Sequence, residues 1–254
     1  MLIMQTKEDC FAAMPYCREQ DLRQNFDRLL GYFNGVLRRP LKIWLADEES
    51  VRYLGLENDP GFLVREENDL KDYLYDGEAL RTLTGKKYHK KLNLIHKFCH
   101  IYDGRWEYRT LDPSAGDMLA EFLDRWYGAR EPEDTLEAER HGILYVLKHS
   151  ELADFRIGGI LIDGKLEALS IGSENKLEHM AIISVEKANP EIPGLYQLIN
   201  QQFLLHAFPE AELVNREDDM WVWKGCAARR KAIIPLRLSG SITLSRSLES
   251  GICQ

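Results

Sequence analysis

Two apolar runs, residues 155–162 and 165–171, are separated only by Asp163-Gly164. Asp-Gly supplies the positive-φ residues of a tight two-residue turn, so the runs read as the strands of a β-hairpin, the clearest in the chain. A sheet has to be built around it. Residues 113–127 place Met118, Leu119, Phe122, Leu123 and Trp126 on one side of a helix, and residues 135–149 read as another helix. After the hairpin, residues 180–185 read as a strand, 186–193 as a loop with two prolines, 194–208 as a helix and 213–215 as a short strand. Residues 218–230 read as a helix and 232–238 as a final strand. The Ser-rich, weakly patterned end is expected to fray.

The first half has a similar rhythm. Residues 2–5 and 10–14 read as a hairpin. Leu22, Phe26, Leu29, Leu30 and Phe33 mark an amphipathic helix over 18–32, with Gly35 as its stop and Pro40 at the loop exit. Residues 42–46 are a strand, 47–54 a short helix, 62–65 and 72–75 two more strands, and 86–102 a helix opened by Thr84 or Gly85. Both halves mix hairpins, helices and late strands. The fold class is therefore α+β, with mixed sheets flanked by helices in two units joined near 103–112. Residues 1–110 form the first unit, 111–240 the second, and 241–254 a disordered tail.

Composition narrows the function. Lys and Arg number 33 against 41 Asp and Glu, a formal charge of −8 over 254 residues. A protein coating a polyanion over its whole surface would not carry that sign, so any such partner must meet a local basic patch. The cysteines Cys10, Cys17, Cys99, Cys226 and Cys253 form no C-x-x-C pair and no zinc-ligand spacing, which fits a reducing cytoplasm. No apolar run reaches bilayer length and no signal peptide is read at the N-terminus, so a soluble cytoplasmic protein without a membrane span is expected.

Residues 85–98 supply the patch. Five lysines and two histidines stand there without an acid, a few residues after 66–78 with six acids and one lysine. Helical spacing puts Lys86, Lys90, Asn93 and Lys97 on one stripe and Tyr88, Leu92, Ile95 and Cys99 on another that can pack on a sheet. Gly85 allows close backbone approach at a helix N-terminus, which favours an anion. Gly85, Lys86, Lys87, His89, Lys90 and Lys91 are thus candidates for holding a phosphate or an RNA backbone; a solvated polar face is the plainer alternative. Thin aromatic interleaving gives no support for base reading. His96 and His100 stand at i,i+4, but no carboxylate completes a ligand set, and no metal is expected.

A second junction spans residues 182–200. It reads as a strand, a rigid loop and a helix opening at Gly194, a geometry that presents backbone N–H groups outward. Neither a Walker loop nor a dinucleotide fingerprint occurs. Glu186 at the strand end is a candidate general base, with Tyr196 or His179 as proton donor. Asn189 and Gly194 line the loop. Arg216, after the next strand, is placed to hold a carboxylate or phosphate, or to form a salt bridge.

These motifs are familiar together. DYLY at 72–75, LTGKKYHKKLNLIHKF at 83–98, VEKANPEIPGLYQLIN at 185–200 and VNRED at 214–218 resemble the soluble C-terminal domain of bacterial phosphatidylglycerol lysyltransferases, in particular stand-alone cytoplasmic relatives. The likeness runs from about Ala12 to about Leu238. It implies tandem units of the Gcn5-related N-acetyltransferase kind, the first lacking N-terminal elements. Membrane-bound members move lysine from lysyl-tRNA to a lipid, and the wider superfamily uses acyl-CoA. The superfamily's pyrophosphate loop, Q/R-x-x-G-x-G/A, keeps only its first glycine here, Gly194. The absence of a spanning segment points away from a lipid acceptor.

The expectation is an acyl- or aminoacyl-transferase moving an activated carboxyl group from aminoacyl-tRNA or coenzyme A to an amine or hydroxyl acceptor, a small molecule or peptide. Such chemistry needs orientation, oxyanion stabilisation and a proton acceptor rather than a nucleophile motif. The alternatives are a non-catalytic tRNA- or RNA-binding or regulatory module that keeps the fold, and a truncated, inactive relative.

Overall fold

The computed structural model describes residues 2–5, 9–66, 73–131, 134–149, 154–216, 237–238 and 242–246. Internal contacts divide the chain into Met1–Asp72 with Leu238–Gln254, and Tyr73–Arg237.

In the first unit, β1 (Ile3–Gln5) and β2 (Cys10–Ala12) form the expected hairpin, with Ile3 opposite Ala12. Helix α1 (Glu19–Tyr32) buries Leu22, Phe26 and Leu29 at helical spacing. It runs on into a π-helical turn over Phe33–Leu37 that ends at left-handed Arg38, so Gly35 lies inside the widened turn and does not stop the helix. Strand β3 (Lys42–Ala46) leads to α2 (Glu48–Leu54), whose N-terminus is capped by Asp47 accepting from the Ser50 amide at 2.7 Å. Strand β4 (Phe62–Glu66) follows. Within the stretch expected to fray, Ile242–Arg246 is β12, seated between β3 and β4 in the order β1-β2-β3-β12-β4. A strand bonded along both edges does not need a strong pattern of its own, because pairing overrides weak local propensity.

The second unit is built on the order β11-β5-β10-β9-β8-β7-β6. Its elements are β5 (Tyr73–Asp76), α3 (Gly77–Thr82), α4 (His89–Ile101), β6 (Trp106–Leu111), α5 (Gly116–Gly128) and α6 (Asp134–Lys148). They continue with β7 (Arg156–Ile162), β8 (Lys165–Asn175), β9 (Met180–Ala188), α7 (Leu195–Ala207), β10 (Leu213–Asn215) and β11 (Arg237–Leu238). The β7–β8 turn has Asp163 at φ 51° and Gly164 at φ 78°, as Asp-Gly requires. The division between units falls at Asp72/Tyr73 rather than near 103–112. Residues 106–111 are the edge strand β6, paired with β7 from Trp106–Ile162 to Leu111–Ile157. Exposed Glu107 and Arg109 give that edge the polar look of a linker. The helix expected over 218–230 lies outside the described residues, as does the expected last strand apart from β11.

Both faces of this sheet are covered. Tyr75, Ile160, Ile162, Ala181, Ile183 and Ala188 pack with α3, α4 and α7 on one face. Leu161, Leu166, Leu169 and Ile171 pack with α5 and α6 on the other. Two bulges interrupt the alternation. Ile160 faces Ala168 but Leu161 faces Leu166, leaving Glu167 as the extra residue. Gly172 faces Ile183 but Ile171 faces Val185, leaving Ser184 as the second. A bulge reverses the faces of the residues beyond it.

A buried Glu–Arg pair beside a half-buried lysine

The bulge at Ser184 decides where Glu186 points. With regular alternation, Ile183, Val185 and Lys187 would share one face. The extra residue instead joins Val185 to the α5/α6 core, while Ala188 packs with Ile183 on the α4/α7 side. Glu186 follows Ala188 to that side, where Asn200 of α7 donates to its Oε2 at 2.8 Å. Opposite it on β8, the fully buried Ser170 hydroxyl donates to the Val185 carbonyl at 3.1 Å. Strand β9 runs through to Ala188, so Glu186 lies within the strand and not in a loop after it.

Strands β9 and β10 run parallel and pair only from Leu213–Met180 to Asn215–Ile182. Beyond that point β9 continues and β10 ends, and the next residue is Arg216. Its Nη2 donates to Glu186 Oε1 at 2.6 Å, with 9% and 8% of the two side chains exposed. The ion pair is almost fully withdrawn from water. Arg216 Nε is buried without a hydrogen-bond partner among the described residues. An Arg with an unused buried N–H retains capacity for another acceptor.

Lys91 completes the cluster from α4. The stripe of Lys86, Lys90, Asn93 and Lys97 is exposed, and the stripe of Tyr88, Leu92, Ile95 and Cys99 packs on the sheet, as helical spacing predicts. Lys91 stands one turn before Ile95 and two before Phe98, both buried, so it belongs to the inward side. Burial, then the Arg216 charge, lower its pKa to about 8, against the opposing pull of Glu186. Among the described residues its ammonium has no hydrogen bond or ion pair of its own. Two cations thus stand near one carboxylate whose oxygens already accept from Asn200 and Arg216.

The remaining predicted residues fall in three places. Tyr196 is half-buried on α7, one turn before Asn200 and on the same side. Gly85, Lys86, Lys87, His89 and Lys90 are exposed. Lys86 and Lys87 form a 3-10 turn, and α4 proper begins at His89 instead of at Gly85. Asn189 and Gly194 have partners in the scaffold. Asn189 Nδ2 donates to Glu167 Oε2 at 2.9 Å and its Oδ1 accepts from the Glu191 amide at 3.0 Å. Gly194 sits at φ +90° where an added Cβ would lie 2.4 Å from the Leu94 carbonyl oxygen, so it lets α7 close on α4. His179 lies at the far end of β9, roughly 20 Å from Glu186 at the rise of a strand. His96 and His100 are exposed, and no group of three potential metal ligands occurs among the described residues. Sequence reasoning missed Asn200 and Ser170. Only the one-turn spacing of Tyr196 and Asn200 was available as a signal.

The opposite face holds a second polar network. Glu139 of α6 receives Lys187 Nζ at 2.9 Å on each oxygen and the Tyr127 hydroxyl at 2.6 Å. Lys187 Nζ also lies 4.1 Å from the centre of the Trp126 ring, whose Nε1 donates to the Ala188 carbonyl at 3.0 Å. Burial, with the Glu139 hydrogen bond, raises the Tyr127 pKa. This network fastens α5 and α6 to β9.

Comparison with solved structures places the fold. A conserved protein of unknown function from Bacteroides thetaiotaomicron superposes with a TM-score of 0.86 at 22% identity, over 96% of this chain and 82% of that one. The C-terminal domain of a putative lysylphosphatidylglycerol synthetase from Agrobacterium fabrum gives 0.71 at 14% identity, over 96% and 79%. L-PGS from Bacillus licheniformis gives 0.71 at 11% identity, over 98% and 81%. No curated protein matches the sequence. No helix among the described residues is long and apolar enough to cross a membrane. The α+β fold expected from the sequence, with mixed sheets flanked by helices, is the fold observed. Residues 1–231 match the family described as phosphatidylglycerol lysyltransferase, C-terminal, and the chain belongs to that family.

Proposed function

We propose that this protein is an acyl- or aminoacyl-transferase, taking an activated carboxyl group from an aminoacyl-tRNA or an acyl-CoA and passing it to an amine or hydroxyl acceptor. The observation that carries the reading is the buried Glu186–Arg216 pair beside Lys91, set where β10 stops pairing with β9. When an acceptor attacks an ester or thioester carbonyl, negative charge develops on its oxygen. Donors preorganised in a water-poor site stabilise that charge strongly. In this reading Arg216 supplies the donor and Glu186, held by Asn200, fixes its orientation. Tyr196 stands one turn before Asn200 on α7. Membership of a family named for a lysyltransferase supports the same chemistry.

The donor's phosphates fit the exposed basic side of α4 and the turn before it, Lys86, Lys87 and Lys90, in a chain that is otherwise acidic. That exposed side also favours a second reading, an RNA-binding module without transfer. A thermal-shift titration with coenzyme A, acetyl-CoA and bulk tRNA, at low and moderate salt, separates the possibilities, because a ligand of the native state raises its melting temperature. Stabilisation by a coenzyme A species identifies an acyl-CoA donor. A shift with tRNA alone, fading as salt rises, points to aminoacyl-tRNA or to the module, and transfer of label from aminoacyl-tRNA decides between those two. No shift with any ligand overturns both donor assignments.

A further inference from the structure

Lys91 is unlike the other lysines of its segment. Lys86, Lys87, Lys90 and Lys97 are exposed, whereas Lys91 is half-buried on the packed side of α4 and, among the described residues, has no acid of its own. Glu186, the acid whose charge reaches it, is engaged by Arg216 and Asn200. Among the described residues, the charged groups acting on Lys91 are Arg216, following β10, and Glu186 on β9. Helix α7, packed on α4, has Tyr196 and His206 as its ionisable residues, and His206 is stacked on Tyr108 at a ring separation of 4.5 Å. Burial and a neighbouring guanidinium both disfavour the charged amine, so Lys91 gives up its proton more readily than an exposed lysine, and the neutral amine accepts protons.

Building on the transferase reading, we infer that Lys91 is the residue that moves the proton during transfer. The acceptor nitrogen attacks the donor carbonyl carbon and a C–N bond forms. The C–O bond of an ester, or C–S bond of a thioester, breaks, and its electron pair leaves with the oxygen or sulfur. The nitrogen gives up one proton to neutral Lys91 Nζ. The resulting ammonium returns that proton to the leaving oxygen or sulfur, so Lys91 ends neutral and no other reactant is needed. A pKa of about 8 lets the same group do both near neutral pH. This role differs from that of a fixed cation holding a phosphate.

Lys91→Arg separates the two roles, because it keeps the charge but cannot titrate. For proton transfer, Lys91→Arg and Lys91→Met both lower kcat about a hundredfold while the donor KM changes by less than about threefold. The wild-type limb of kcat rising through a pH of about 8 also disappears. Rescue by Arg with the pH limb intact overturns the proposal in favour of an anchoring cation. An active wild type matched by an equally active Lys91→Met overturns it outright and leaves the transferase reading standing. A wild type that transfers nothing from either donor overturns both. Competitive labelling of the wild-type protein with acetic anhydride across about pH 6 to 10 checks the premise without any variant. Lys91 is expected to titrate near 8, well below Lys86 and Lys90, and a midpoint among theirs also overturns the proposal.

Discussion

At the scale of single residues, the stability effects follow from which buried charges have partners. The folded state favours neutral Lys91, so between its folded pKa of about 8 and the ordinary lysine value the unfolded chain binds more protons. The cost of burying its charge is therefore full below that window and fades as pH rises through it. Lys91→Met is expected to melt higher than the wild type at pH 7, with the difference shrinking towards pH 10, as differential scanning calorimetry would show. Arg216→Met works in the opposite direction. It removes the ion-pair partner of the buried Glu186, a loss of about 3–5 kcal/mol for breaking a buried ion pair, measurable by urea denaturation. Glu167 gives a third case. Burial pushes its carboxyl upward, but Asn189, Lys165 and Arg125 outweigh that and hold it below the ordinary range. Its stabilisation is present above the unfolded carboxylate value and is lost as pH falls through the lowered one, so Glu167→Gln should flatten the acid limb of the stability curve.

At the scale of elements, the contact between α4 and α7 and the bulges of β8 and β9 set the cluster's geometry. Gly194→Ala forces a positive φ on a residue with a Cβ and drives that atom against the Leu94 backbone. A loss on the order of 3 kcal/mol is expected, together with slower transfer, since Lys91 and Asn200 lie on the two helices it separates. Much of this architecture was legible. The Asp-Gly hairpin, the two stripes of α4 and helix α7 are local patterns that survive into the structure. Three features were not. Strand β12 is held by pairing on both edges and has little pattern of its own. Edge strand β6 shows its polar residues outward and so resembled a linker. The bulge at Ser184 has no sequence signature, yet it turns Glu186 towards Asn200 and sends Lys187 to Glu139 on the other face.

At the scale of the molecule, residues far apart in sequence meet because β9 and β10 are parallel neighbours whose connection is α7. Sequence reasoning identified Lys91, Glu186 and Arg216 separately, from a charge reversal, a strand and a neighbouring strand end. Pairing of successive strands puts Arg216 beside the 182–200 junction, as observed, but nothing in the sequence brings Lys91 to them, since that follows from α4 packing on α7. Glu186, the expected general base, has its two oxygens accepting from Asn200 and Arg216, and the inward lysine has no partner of its own among the described residues. The most direct test is release of radiolabel from aminoacyl-tRNA and from acetyl-CoA in the presence of pooled amine acceptors, comparing wild type with Glu186→Gln. The expected result is transfer from one donor by the wild type and about a hundredfold slower transfer by a Glu186→Gln protein that still folds. No label moved from either donor, or equal rates in the two proteins, would contradict the assignment of this cluster as the transfer site.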